Sequence, residues 1–255
     1  MPGSYDPRIR VAGAGLPLVL VSGMDGTGQL FYTQVPRLAS TFRVATYALR
    51  DSATDMDTLV RDLDDVIREV SVDGTPVVLV GESFGGALSM SYALTHPERV
   101  ARLVVLNSFP AFLPQVRLHL AHGALRVLPW GAMTLVRRLT AFRMHSAHTT
   151  REELQRFLQL MQATTRDGYV NRLRVLMHYD VREMLVNLRI PTLFLASDQD
   201  HLVPAVAQAR FMSARVPGAS MRVLEGHGHI CLLAPDLDLS QLLRDWHPDL
   251  SLKVV

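Results

Sequence analysis

Gly81-Glu82-Ser83-Phe84-Gly85 is the stretch of this chain best suited to covalent chemistry. A serine hydroxyl is a weak nucleophile at neutral pH, and it attacks a carbonyl only when a base takes its proton and a carboxylate orients that base. Val77-Val78-Leu79-Val80 just before it reads as a buried strand, and residues 83–95 can follow as a helix. A tight turn from strand to helix strains the backbone at Ser83 and lifts its side chain above the sheet. The flanking positions are glycine because a Cβ there would clash with the neighbouring strand and helix.

The base and the acid must come from downstream. Residues 192–196 read as a strand, and Asp198 and Asp200 follow it, so their carboxylates emerge at the same sheet edge as Ser83. Either could hold an imidazole; the other is then a turn or capping carboxylate. Residues 221–224 again read as a strand, and the glycine-rich loop after it supplies His227 and His229, one of them the base and the other a bystander. His227, His229 and Cys231 alternate as metal ligands might be imagined to, but the spacing of structural zinc sites is absent and no metal is expected. Charge that develops on the attacked oxygen needs donors already in place. The N–H of Phe84 is one, and the N–H of Met24, in the loop Val21-Ser22-Gly23-Met24-Asp25-Gly26-Thr27-Gly28, is the second candidate. That loop lacks the Lys-Ser/Thr pair of a phosphate-binding loop.

The elements that must carry these residues alternate. Short apolar runs at 16–21, 43–47, 77–80, 103–106, 192–196 and 221–224 look like strands buried on both faces, and helical stretches at 28–39, 57–70, 83–95, 205–216 and 237–246 separate them. This pattern predicts a mostly parallel central sheet flanked by helices. Residues 109–188 break the alternation: they are rich in Leu, Met and Arg, show no convincing strand, and read as an inserted helical cap. The expected organisation is a core of residues 1–108 and 189–255 with a cap at 109–188. Apolar cap residues such as Phe112, Leu120, Leu125, Trp130, Met133 and Phe142 could wall a pocket, although ordinary helix packing would use them too.

The 255 residues are enough for one sizeable domain, and charged residues interrupt every apolar stretch before it reaches the length of a membrane span. The start lacks the apolar core of a secretory signal, and the single cysteine permits no intrachain disulfide, so a cytoplasmic setting is expected. A net charge of +2 makes no case for nucleic-acid binding. No Asp or Glu lies between Arg99 and Arg151, where eight arginines fall, counting both ends. They read as solvated faces of amphipathic helices, with attraction to an anionic or membrane surface as the sharper alternative.

The stretches "LPLVLVSGMDGTG", "VVLVGESFGGALSMSYALTHPERVARLVVLNS", "PTLFLASDQDHLVP" and "EGHGHICLLAP", in this order, make the chain resemble α/β-hydrolase fold proteins over most of its length. The resemblance implies a Ser-Asp-His order in the chain. It gives Asp200, which precedes His-Leu-Val-Pro, the acid role, and His229, followed by an apolar run and a proline, the base role. Many relatives carry His-Gly where this chain has Ser22-Gly23, which bears on the transfer of the oxyanion role to Met24. The motifs "GMDGTG", "RDSAT" and "GESFGG" are similar to the esterase/acyltransferase branch that includes phytyl ester and diacylglycerol acyltransferase-like proteins. The implied activity is hydrolysis of a carboxylic ester with an apolar arm, without cofactor. Acyl transfer to an alcohol uses the same residues, and a binding protein without turnover is the reading from another class.

Overall fold

The computed structural model describes residues 6–112, 115–127 and 145–247. Among the described residues seven strands form one sheet in the order β1-β3-β2-β4-β5-β6-β7. These are β1 (Ile9–Ala12), β2 (Leu16–Val21), β3 (Phe42–Tyr47), β4 (Val77–Glu82), β5 (Val100–Leu106), β6 (Thr192–Ser197) and β7 (Ser220–Leu224). All neighbours pair in parallel except β1, which lies antiparallel on β3 with Ile9 opposite Tyr47. The sheet is thus mostly parallel, as the alternating runs predict. The sequence reading passed over β1, because four residues with Arg10 exposed carry too little apolar signal to stand out from a loop.

Alternation along the strands explains why the runs are apolar throughout. Val19, Val21, Leu79, Leu103 and Val105 face one cluster, whereas Leu18, Leu20, Val78, Val80 and Val104 face the other. The first face is covered by α2 (Met56–Val70), α3 (Phe84–Thr95) and α7 (Ala205–Ser213), and the second by α1 (Val35–Leu38) and α8 (Leu239–Trp246). With helices on both faces, neither side of a central strand has use for polar residues. β7 departs from the expectation of burial on both faces. It is the edge strand, so Arg222 and Val223 are exposed and only Leu224 is buried. The helix expected over residues 28–39 shrinks to the single turn of α1, since Gly28 takes a left-handed φ of 67° and Pro36 suits only the first turn.

Between β5 and β6 the chain leaves the sheet for three described helices, α4 (Gln115–Val127), α5 (Arg151–Leu160) and α6 (Arg166–Met177). Thr150 and Thr165 cap α5 and α6, each accepting a backbone N–H of the first turn. Trp130, Met133, Phe142, Arg137, Arg138 and Arg143 lie outside the described residues. Among the described residues no helix is long and apolar enough to cross a membrane.

β2 sits between β3 and β4, so the chain moves to one side of β2 and then crosses to the other. Such a reversal opens a crevice at the carboxyl ends of the strands, and the loops after β2 and β4 meet there.

Candidate active site

Ser83 occupies the first turn between β4 and α3 with φ 55° and ψ −117°, a conformation rarely adopted by a residue with a side chain. Its backbone is held on both sides. The N–H donates to Leu106 O at 2.9 Å, and its own carbonyl accepts from Ser108 Oγ at 2.7 Å and Gly86 N at 3.0 Å. A Cβ on Gly81 would collide with the carbonyl of Gly85, and one on Gly85 with the carbonyl of Val21, so strand and helix can approach this closely only without side chains.

His229 Nε2 lies 3.0 Å from Ser83 Oγ, and His229 Nδ1 lies 2.7 Å from Asp200 Oδ2. Asp200 Oδ1 accepts the N–H groups of Leu202 and Val203, both at 2.9 Å, which locks the carboxylate in the loop after β6. Both side chains are buried, His229 at 5% exposure and Asp200 at 0%. With Asp200 accepting the Nδ1 proton, Nε2 is left as an acceptor facing the serine hydroxyl.

The alternatives separate cleanly. Asp198 Oδ1 accepts from Gly226 N at 2.8 Å and ties the loop after β6 to the histidine loop, a longer-range role than the turn or cap expected for it. His227 Nδ1 pairs with Ser146 Oγ at 2.9 Å, away from Ser83, and burial holds its pKa below the usual imidazole value. Cys231 is buried with its thiol pushed up to about 12 by burial, and Asn107 Nδ2 lies 3.6 Å from its sulfur.

Phe84 opens α3, where the first N–H groups have no partner within the helix. Met24 lines the cleft beside Ser83, and neither its N–H nor that of Phe84 donates to another described residue. Two residues that the sequence reading missed hold the loops in place. Asn107, buried at the end of β5 with φ 47°, donates from Nδ2 to His229 O and to Ser197 Oγ, both at 2.9 Å, and accepts from Ser197 N at 2.8 Å. It joins the histidine loop to β6. A polar Asn-Ser pair just after an apolar strand was the available signal. Arg172 of α6, 1% exposed, donates from Nε to Met24 O at 2.9 Å and from its terminal nitrogens to Asp25 O at 3.2 Å and Asp51 Oδ1 at 3.0 Å. Its guanidinium lies where a Cβ on Gly26 would be. Nothing local in the sequence marks it, since all three partners lie more than 100 residues away.

Two cavities meet at Ser83 and Met24. The larger, about 480 Å³, is walled by Phe109 and Phe112 after β5, by Ala121 of α4, by Tyr169, Leu173 and Leu176 of α6, and by Leu202 and Val203. Of the apolar residues expected in the insertion, Phe112 lines this space, Leu125 packs into the main core, and Leu120 is 69% exposed. The smaller, about 90 Å³, is bounded by Gly23, Asp25, Leu30, Glu82, Phe157, His229 and Ile230. Burial pushes Glu82 up to about 7.

A family model described as alpha/beta hydrolase fold matches residues 17–234. The chain belongs to the alpha/beta hydrolase fold family. It is similar to a protein of Serratia proteamaculans provisionally named carbamate hydrolase RutD, with 29% identity over 245 residues covering 90% of each chain. Among solved structures it is similar to a thermophilic esterase from Thermogutta terrifontis, with TM-score 0.83 and 19% identity over 96% of this chain and 93% of that one. A hydrolase from Pseudomonas aeruginosa gives TM-score 0.81 and 20% identity, over 95% of this chain and 92% of that one. These two structural likenesses speak for the fold. Membership supports a hydrolase.

Proposed function

We propose that this hydrolase cleaves carboxylic esters that carry an apolar arm. The observation behind the reading is the hydrogen-bonded chain Asp200, His229, Ser83, which ends at the mouth of a 480 Å³ apolar cavity. Ser83 Oγ attacks the carbonyl carbon while its proton passes to His229 Nε2, and Asp200 stabilises the imidazolium that forms. The oxyanion accepts from the N–H groups of Phe84 and Met24. Nε2 then protonates the departing alkoxide, which leaves as the alcohol and forms the acyl-enzyme. Water, deprotonated by the same nitrogen, releases the acid and restores Ser83. Nucleophile, base, acid and donors are all protein groups, so the cycle calls for no metal or redox cofactor.

Apolar side chains wall the large cavity, which favours an ester arm over a small polar substrate. The name of the Serratia relative favours a second reading, carbamate cleavage, which runs through the same attack at a carbonyl carbon. The sequence likeness to the esterase/acyltransferase branch adds transfer of the acyl group to an alcohol. Labelling with a fluorophosphonate, wild type against Ser83→Ala, tests the nucleophile: a Ser83-dependent adduct is expected, and its absence would remove the proposal. A panel of esters of rising acyl length beside matched carbamates, with a long-chain alcohol in competition with water, then separates the three reactions.

A further inference from the structure

One buried ionisable group beside Ser83 has no place in the catalytic cycle. Glu82, the last residue of β4, is 7% exposed, and its carboxyl makes no hydrogen bond or ion pair with any described residue. Its oxygens are not among the buried atoms sealed from solvent, so a carboxyl with no partner among the described residues opens into the adjoining space. Its neighbour Asp25, also buried, is already occupied, because Oδ1 accepts the N–H of Thr27 at 2.8 Å and its hydroxyl at 2.6 Å. Glu82 is one wall of the 90 Å³ cavity, whose other walls include the apolar Leu30, Phe157 and Ile230. Above about pH 7 the Glu82 carboxyl is ionised and can only accept, so the chemical complement there is a donor.

Which arm of an ester enters this space follows from His229. It lines the small cavity, and in the cycle above Nε2 must hand its proton to the departing oxygen. The departing alcohol therefore sits on the side of the small cavity, and the acyl chain runs into the large one. The small cavity is about a fifth the size of the large one, 90 against 480 Å³, so it suits the shorter arm. We infer that the 90 Å³ cavity is the alcohol subsite, and that Glu82 selects there a short alcohol bearing its own hydrogen-bond donor, such as a 2-hydroxyethyl group. This rests on the ester reading and names the substrate class within it.

The test compares 2-hydroxyethyl hexanoate with propyl hexanoate, a pair that differs by OH for CH3 at the end of the alcohol, in wild type, Glu82→Gln and Glu82→Leu. Wild type is expected to favour the hydroxyethyl ester by about tenfold or more in kcat/KM, as for a hydrogen bond to a charged group. Glu82→Leu should abolish the preference, and Glu82→Gln, which keeps an acceptor oxygen, should retain part of it. A control pair, propyl hexanoate and propyl 6-hydroxyhexanoate, moves the donor to the acyl end and should show no dependence on residue 82. An unchanged hydroxyethyl preference in Glu82→Leu, or a dependence that follows the acyl-end hydroxyl instead, overturns the subsite. Should wild type turn over none of these esters, that result strikes the ester reading alone. Calorimetric dissociation constants of the first pair on Ser83→Ala, with and without Glu82→Leu, then decide the subsite: a hydroxyethyl preference that Glu82→Leu removes supports it, and equal affinities overturn it.

Discussion

At the carboxyl edge of the sheet, Ser83, Asp200 and His229 stand on loops that leave β4, β6 and β7; Ser83 N–H donates to Leu106 O, Gln199 N–H beside Asp200 donates to His227 O, and Asn107 Nδ2 holds His229 O. Across the large cavity the walls come from α4 and α6, which pack Leu125, Leu173, Val175 and Leu176 into the main core, and the insertion adds a few polar ties. Arg172 of α6 reaches the loop after β2, Tyr32 donates to Glu153 of α5 while Arg156 of the same helix lies 3.8 Å over its ring, and Arg166 donates to Leu125 O to tie α6 to α4. The contrast teaches a division of labour. Strand ends give the reacting groups a geometry set by the whole core, while the insertion shapes the space for substrate and is coupled to the reacting edge by the buried Arg172 guanidinium and by Ser146, which meets His227 Nδ1 and the Gly228 N–H.

Asp200→Asn gives the sharpest break on the sheet side. An amide in place of the carboxylate favours the wrong imidazole tautomer, so kcat should fall by about 10⁴-fold with little change in fold. Steady-state kinetics and a melting curve on the same sample check both halves, and a loss in kcat below tenfold would contradict the role given to Asp200.

On the insertion side Arg172→Met should act in the opposite sense. It strands the carbonyls of Met24 and Asp25 while Asp51 keeps water and Thr165 Oγ1, at a cost of about 2 kcal/mol in urea denaturation. KM should rise as the Met24 loop loosens. Arg172→Lys should rescue little, because an ammonium lacks the fork that spans three partners. If Arg172→Met melts like wild type, the coupling between insertion and sheet lies elsewhere.

Glu82 tests the junction of the two regions through pH. Its pKa in the folded protein, about 7, is raised from 4.5 by burial. Between these values the unfolded chain has lost the proton that the native state keeps, so the native state binds more protons and stability falls as pH rises, with the loss complete above about 7. Glu82→Gln removes the titration. It should match wild type near pH 4 and exceed it by up to about 3 kcal/mol at pH 8, as read from denaturant midpoints. Curves that stay parallel across this range would mean that Glu82 is not held in a dry site.

Much of the sheet was legible because a strand covered by helices on both faces must be apolar along its whole length, and the runs at β2 through β6 say so. β1 and β7 are less legible since edge strands share their surface with solvent: the apolar signal of β1 is too weak to stand out from a loop, and that of β7 suggests a burial that only Leu224 has. The elbow at Ser83 could be read because its glycines answer a local steric demand. Choosing between Asp198 and Asp200, or between His227 and His229, needed the resemblance, for both members of each pair lie within two residues on one loop and spacing does not separate them. Asn107 and Arg172 escaped because their partners are distant in sequence.

By itself, the order of residues determined the periodicities that make strands and helices, and the glycine-bounded turn that lifts a serine above the sheet, since both depend on contacts within a few residues. Only the tertiary structure decided which imidazole faces Ser83, that two cavities flank it, and that Glu82 and Arg172 are buried charges at its rim. Burial and hydrogen-bond pairing belong to segments from 29 to 148 residues apart, and they exist only once the chain has closed on itself.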